Sequence, residues 1–454
     1  MVTPTTFGEL RAAIAGTADG IEITRIALCV AHTYRDAFEG FAHSAPGTRL
    51  SAAVLQPAGA LLGGVGVDLT PSVRTGLLAI IGKTKTATDV ARQAVVAQAI
   101  AEALEASLES RFVTHLAASG RRELSPGDLI PYISPFGLMR AKGEAPFAQA
   151  FAGTLSTNPA RLASRRPGQL TRRARLVTEL PPRVRLVWDP DWTELDALMP
   201  ASKAAAVVPG TFADLKTTFD DENARFFPVT PKNPAASVSA ALAHLASAEA
   251  SGSAIAVLPE LCVDEAGAVA IADWVETNAK HLSLVVCGSF HRELSGVREN
   301  VAIVTGAGRA REGRIEQPKL RPFVFPLDGR DFTEDITEVE RVVTIFSGRW
   351  WSALALVCID FINDDVKRFA EDLRPALVLV PACTAKSDVF HATALSHAAR
   401  GQAHTIFANL NATGGAETAI ISRPTRVPSA VIRTVSADFA SVHVTPLGEL
   451  ADWT

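Results

Sequence analysis

Trp351-Ser-Ala-Leu-Ala-Leu-Val357 runs directly into Cys358-Ile359-Asp360-Phe361, an apolar run that ends on a thiol. A short apolar run closed by a polar turn reads as a buried strand. A buried strand that delivers a side chain to a sharp turn is one way an α/β fold exposes a nucleophile. A lone buried cysteine is ordinarily a small core hydrophobe, so the reading depends on what accompanies Cys358. Upstream, Ala254-Ile-Ala-Val-Leu258 is another short apolar run, ending in Pro259-Glu260. It sets a carboxylate at a strand terminus, where a general base can act. Gln317-Pro318-Lys319-Leu320-Arg321-Pro322 holds a lysine between prolines, in a segment that cannot be regular helix. Phe332-Thr333-Glu334 offers a second carboxylate.

The order Glu260, Lys319, Glu334, Cys358, each at its own strand end or loop, resembles the nitrilase superfamily of carbon–nitrogen hydrolases. The resemblance covers residues 222–447 and extends beyond these four positions. Ser283-Leu-Val-Val-Cys-Gly-Ser289 is similar to the family's second strand and Glu299-Asn300-Val-Ala-Ile-Val304 to its asparagine-containing third. Ala376-Leu-Val-Leu-Val-Pro-Ala382 is similar to the strand ending in a Pro-Ala step, followed by His391, Ala399-Arg400, Phe407-Ala408-Asn409 and Gly414-Gly415. Two departures bear on substrate class: the turn after Cys358 keeps Asp360 but lacks the family's arginine, and Gln402 stands near a common glutamate position. Asp328, Asp331 and Asp335 are alternatives to Glu334 as the second acid.

The resemblance implies an α-β-β-α sandwich, two packed sheets with helices outside, commonly paired with a second copy. Its chemistry would be cleavage of a non-peptide C–N bond through a thioester. An amide carbonyl is a poor electrophile, so the site needs a strong nucleophile, a proton donor for the leaving amine and a partner for the oxyanion. Cys358 would attack, Glu260 would move the proton, Lys319 with the N–H following Cys358 would hold the oxyanion, and Glu334 would orient Lys319 or the substrate. Asp360, His391 and Asn409 are the expected substrate-binding positions, with Asn409 tying loops near the pocket. His391, His397 and His404 lack the spacing of a helical zinc motif, so neither a metal nor a cofactor is expected.

At 454 residues with 48% hydrophobic and 20% charged content, the chain can bury the cores of several domains. A formal net charge of -4 gives no global pull toward nucleic acid or acidic lipid. Cys29, Cys262, Cys287, Cys358 and Cys383 are odd in number and lack metal-ligand spacing, which points to a reducing cytoplasm. The first residues lack the basic start and apolar run of a secretory signal. Leu50 to Val67 is uncharged but holds Gln56, Pro57 and several glycines, which favours a buried helix segment over a membrane span.

Residues 1–160 lack strand alternation and predict a helical domain, with a long amphipathic helix from Thr88-Asp89 to near Gly120. Gly82-Lys83-Thr84 lacks the glycine spacing of a phosphate loop. Residues 161–221 read as an arginine- and proline-rich linker or docking arm, including Arg161, Arg165, Arg166, Arg172, Arg173, Arg175, Arg183 and Arg185. No aromatics interleave with these arginines as a nucleic-acid surface would require. From Arg225 onward strand-like and helix-like runs alternate, which predicts an α/β domain over 222–447.

The expected function is a cysteine-dependent hydrolase of a small amide or carbamoyl compound, with a nitrile less favoured. The expected assembly is a homodimer through the hydrolase domain, with the N-terminal domain open to a protein partner. An acyltransferase that uses the same thioester is one alternative, and a binding or regulatory module acting through the helical half is another.

Overall fold

The computed structural model describes residues 2–42, 44–84, 88–131, 174–198, 202–208, 214–348, 351–398, 403–410, 417–422, 432–435 and 441–446. The chain divides into two compact units, Met1–Leu180 and Pro181–Thr454.

In the first unit, polar side chains mark where helices begin. Helix α1 (Phe7–Gly16) starts with a capping box between Thr6 and Glu9, and α2 (Gly20–Thr33) starts at Asp19. After α3 (Arg35–Ala42), α4 (Ala45–Leu62) is capped by Ser44, α5 (Pro71–Gly82) by Thr70 and α6 (Val90–Ala117) by Asp89. Each capping oxygen takes an N–H that the first helical turn leaves without an intrahelical acceptor. The predicted long helix is α6, which buries Val95, Ile100, Leu104 and Leu108 and packs against α2, α3 and α4. The uncharged stretch from Leu50 lies largely in α4, and no described helix is long and apolar enough to cross a membrane. The short strands β1 (Arg122–Leu124), β2 (Leu129–Pro131) and β3 (Ala174–Leu176) complete this unit, β2 and β3 pairing antiparallel.

The second unit opens with β4 (Val184–Asp189) and β5 (Lys203–Val208), inside the stretch read as a linker. That reading is corrected: Val184, Leu186, Val187 and Trp188 are buried while Arg185 is the exposed position of its strand. A single exposed arginine within the strand masked an otherwise buried run. The α/β unit therefore begins near Pro181, not at residue 222. Arg161, Arg165, Arg166, Arg172 and Arg173 lie outside the described residues, and Arg175 is buried in β3.

The remaining elements follow in order as β6 (Leu215–Asp220), β7 (Arg225–Pro231), α7 (Pro234–Ala250), β8 (Ser253–Val257), α8 (Glu265–Asn278), β9 (Leu284–Leu294) and β10 (Val297–Thr305). Next come β11 (Ile315–Pro318), β12 (Val324–Leu327), β13 (Arg330–Glu334), β14 (Arg341–Ser347), β15 (Ser352–Ala355), α9 (Ile359–Ile362) and α10 (Asp364–Leu373). The last are β16 (Leu377–Ala382), α11 (Asp388–Ser396), β17 (His404–Asn409), β18 (Ala419–Ser422), β19 (Ile432–Val435) and β20 (Ser441–Pro446). One sheet has the order β11-β10-β9-β8-β5-β20, another contains β4-β14-β15-β16-β17-β18-β19, and a small third sheet is β12-β13-β7-β6. The two large sheets pack face to face through β16 and β17 on one side and β5, β8 and β9 on the other.

Helices α7 and α8 cover the outer side of the first sheet, and α11 packs on β18 and β19 of the second. This is the α-β-β-α sandwich. Both large sheets bury near-continuous apolar strands, as expected where helices or a second sheet cover each face. β5, β8 and β9 run parallel in one sheet, and β15, β16 and β17 run parallel in the other. Glu260, Cys358 and Asn409 lie at or just past the C-terminal ends of β8, β15 and β17. In α/β sheets that end of the strands is where ligands are bound.

Candidate active site

Glu260 is fixed by a turn that needs two backbone exceptions. Leu258 extends β8 by donating its N–H to Val286, and Glu260 donates its N–H to the Ala382 carbonyl at 3.3 Å. Leu261 then takes a positive φ of 59°. The turn lies against Gly288, whose own φ is +81°; a Cβ there would come within 2.5 Å of Cys262 Sγ and 2.9 Å of the Pro259 carbonyl. Only glycine fits both the dihedral and the gap.

Lys319 continues the inward alternation of β11, in which Ile315 and Gln317 are buried and Glu316 is exposed. Its N–H donates to the Asn300 carbonyl at 2.8 Å, which holds the residue to β10. Glu334 shares with Phe332 the inward face of β13. The competing acids are placed elsewhere: Asp335 pairs with Arg225 at 2.7 Å and with Arg298, while Asp328 and Asp331 are exposed.

These side chains meet in a buried cluster in which Glu260, Lys319 and Glu334 are each 2% exposed. Lys319 Nζ lies 2.7 Å from Glu260 Oε1 and 2.6 Å from Glu334 Oε2. Asn300 Nδ2 donates to both carboxylates, at 2.9 Å to Glu260 Oε1 and 3.0 Å to Glu334 Oε1. His291 Nε2 is 2.8 Å from Glu334 Oε1, and the Phe323 N–H donates to Glu334 Oε2 at 2.9 Å. Burial alone would push the Glu334 carboxyl up, yet Lys319 and His291 outweigh it and hold it well below the usual range. Burial likewise opposes the charge on Lys319, but Glu260 and Glu334 keep it an ammonium far above its ordinary value. An ammonium has three donors. Two are taken by the glutamates, leaving one for a third group.

Cys358 sits at φ 51°, ψ -112° as the N-cap of α9, after the apolar β15. A non-glycine residue in that region costs about 1–3 kcal/mol. The turn is held by the Cys358 N–H to the Pro381 carbonyl at 2.8 Å and by the Phe361 N–H to the Cys358 carbonyl at 3.0 Å. Burial and the Glu260 carboxylate push the thiol well above its ordinary value, opposed by Lys319. Two members of the cluster, Glu260 and Lys319, therefore act on the sulfur. Sγ is 4.0 Å from the Cys383 carbonyl. The first N–H groups of a helix lack intrahelical acceptors, and Ile359 supplies one beside the thiol.

Two of the three residues expected to bind substrate hold backbone in place. Asp360, 1% exposed, accepts the N–H groups of Leu320 (2.8 Å) and Arg321 (2.9 Å), so it fixes the loop that carries Lys319. Asn409 accepts the Thr384 N–H at 2.8 Å and donates to the carbonyls of Thr384 and Glu417, both at 2.9 Å. Both side chains direct polar atoms to the protein backbone, Asp360 at the loop that carries Lys319 and Asn409 between the Thr384 and Glu417 loops. His391 is a partly exposed residue of α11, and among the described residues its ring makes no hydrogen bond to the cluster. Arg400, Gln402, Gly414 and Gly415 lie outside the described residues.

His291 belongs to no motif in the sequence, and Asn300 stands there only within an apolar strand. The two are directly paired across β9 and β10, which puts their side chains on one face. Polar residues on the inward face of otherwise apolar strands were the available signal.

No family model and no curated protein matches this chain. Among solved structures it is similar to an amidase from Nesterenkonia sp., at 13% identity and a TM-score of 0.40, over 56% of this chain and 93% of that one. It is also similar to Saccharomyces cerevisiae Nit3, a member of branch 10 of the nitrilase superfamily, at 12% identity and a TM-score of 0.36, over 56% and 93% of the two chains. A glutamine-dependent NAD(+) synthetase from Cytophaga hutchinsonii is similar at 12% identity and a TM-score of 0.32, over 54% of this chain and 42% of that one.

Proposed function

We propose that the second unit is a cysteine hydrolase of a non-peptide carbon–nitrogen bond, with a small amide or carbamoyl compound as substrate. The observation that supports this most is the buried Glu260-Lys319-Glu334 cluster acting on the thiol of Cys358, which a positive-φ turn presents. Cys358 is a thiol at rest, because a thiolate would add a further negative charge beside two carboxylates and one ammonium. Sγ therefore attacks the carbonyl carbon as its proton passes to Glu260. The oxyanion takes the third donor of Lys319 and the Ile359 N–H, a contribution of about 3–4 kcal/mol per good donor. Glu260 then returns the proton to the nitrogen as the C–N bond breaks, leaving a thioester. Water, deprotonated by Glu260, attacks the thioester, the acid departs, and Cys358 regains its proton.

The test is intact-mass spectrometry of the wild type and Cys358→Ser after incubation with amides and carbamoyl compounds, with ammonia release followed in parallel. A mass adduct that requires Cys358, or ammonia release lost in the variant, is expected. Ammonia release that persists in Cys358→Ser would overturn the assignment.

A further inference from the structure

The reaction described above leaves His291 without a task, although its ring is fully buried in the cluster. Phe227 stacks on it at 4.7 Å between centroids with the planes 18° apart, and Arg298 lies over that phenylalanine. Nδ1 receives the Val229 N–H at 2.9 Å. A backbone amide can only donate, so Nδ1 carries a lone pair and the proton of the neutral ring is on Nε2. That proton points at Glu334 Oε1, 2.8 Å away.

With His291 and Asn300 on Oε1, and Lys319 and the Phe323 N–H on Oε2, Glu334 meets four donors. An ionised carboxylate has about four lone-pair sites. Glu260 meets Lys319 and Asn300, both on Oε1. The two glutamates therefore differ in what they can still accept.

We propose that His291 is a positioning residue: by donating its Nε2 proton it fills the last acceptor site of Glu334, which then stays an anion that orients Lys319 while the proton of Cys358 goes to Glu260. The inference rests on the hydrolase reading for its catalytic consequence. A glutamate with an open lone pair beside Lys319 would be a second base, and a proton resting there would weaken its hold on the ammonium. The charged and titratable groups that act on or around Glu334 are Lys319 after β11, Glu260 after β8, Asp360 on α9, and the thiols of Cys358 and Cys383.

Two variants separate a donor from a space-filler. His291→Phe keeps an aromatic ring against Phe227 and removes the donor, whereas His291→Gln restores an N–H toward Glu334. With propionamide as probe, His291→Phe is expected to lower kcat by about tenfold with KM within about twofold, and His291→Gln to recover to within about threefold of the wild type. Two NMR measurements need no turnover. The 15N spectrum of the wild type should show His291 protonated on Nε2. The 13C carboxyl signal of Glu334 should begin to protonate at higher pH in His291→Phe than in the wild type, because removing a donor to the ionised form raises its pKa.

Protonation on Nδ1, equal impairment of the two variants, or an unchanged Glu334 titration would each overturn the proposal. If His291→Phe does not fold, the wild-type tautomer and the Glu334 titration in His291→Leu, which also removes the donor, decide. A wild type that turns over no amide would count against the hydrolase reading, while the tautomer and the titration still test the positioning role.

Discussion

Glu260 and Glu334 present the same group to one lysine, and the donors around each separate their chemistry. Glu260→Gln should abolish turnover, since the amide cannot carry the proton of Cys358, and should also destabilise, because Glu260 is one partner of the buried Lys319 ammonium. Glu334→Gln should destabilise more, by about 3–5 kcal/mol, because it removes a partner of the same buried pair that also accepts from His291, Asn300 and the Phe323 N–H. Urea denaturation beside turnover checks this, and equal stability losses in the two variants would contradict the assigned roles. Asp360 adds a pH dependence of opposite sign to that of Glu334. Burial pushes its carboxyl from an ordinary 3.8 up to about 7, against the N–H groups of Leu320 and Arg321 and the Lys319 ammonium. Between those values the folded chain holds a proton that the unfolded chain has released. The native state then binds more protons, so this group's contribution to stability falls as pH rises through that window. Asp360→Asn does not titrate, so its deficit relative to wild type should shrink by on the order of 2–4 kcal/mol between pH 4 and pH 7.5. A deficit that stays constant with pH would show that Asp360 is ionised in the fold throughout.

At the level of elements, much of the site was legible because Glu260 and Cys358 follow apolar runs and Lys319 sits between prolines, whereas Glu334 carries no such signal. Ala254–Leu258 and Trp351–Val357 read as buried strands, and the structure has strands at Ser253–Val257 and Ser352–Ala355. β4 is hard to read because Arg183 and Arg185 flank and interrupt it, and arginine-rich composition over a wide window hides the short buried run Leu186-Val187-Trp188. His291 escaped because its meaning depends on Glu334, 43 residues away in the chain, and on a cross-strand pair that no local pattern records. Asp360 was recognisable as a site residue, but only the fold shows that it binds the backbone of Leu320 and Arg321. Gly288 is where strand and turn constrain one another most. Gly288→Ala meets both a φ of +81° and a contact at 2.5 Å, and should cost about 2–4 kcal/mol. Because the clash falls on Pro259 and Cys262, which flank Glu260, turnover should fall further than the loss of folded protein explains. The comparison is activity per folded molecule, with thermal unfolding run alongside. An alanine variant with full specific activity would mean that the turn tolerates the shift.

At the scale of the whole molecule, the two compact units have separate cores. The buried cluster of the first unit runs from Phe7 to Leu176 and gathers α1 through α6 around Ala97, Ile100 and Leu104. The cluster between α7, α8 and their sheet runs from Ala205 to Leu410. Every hydrogen bond described above for Glu260, Lys319, Glu334 and Cys358 is made by residues after Pro181. The proposed reacting groups and their described partners therefore all lie in the second unit. A chain of residues 181–454 is expected to fold alone and to unfold in one cooperative transition, since it retains the strands from β4 onward and the helices that cover them. Its Cys358 should react with iodoacetamide at a rate within about threefold of the full chain, because the groups that act on the thiol are all present. If the shorter chain folds but its thiol reacts more than tenfold faster or slower, the helical unit sets the environment of the site. If the rate matches while turnover is lost, the helical unit governs substrate entry, not the reacting groups.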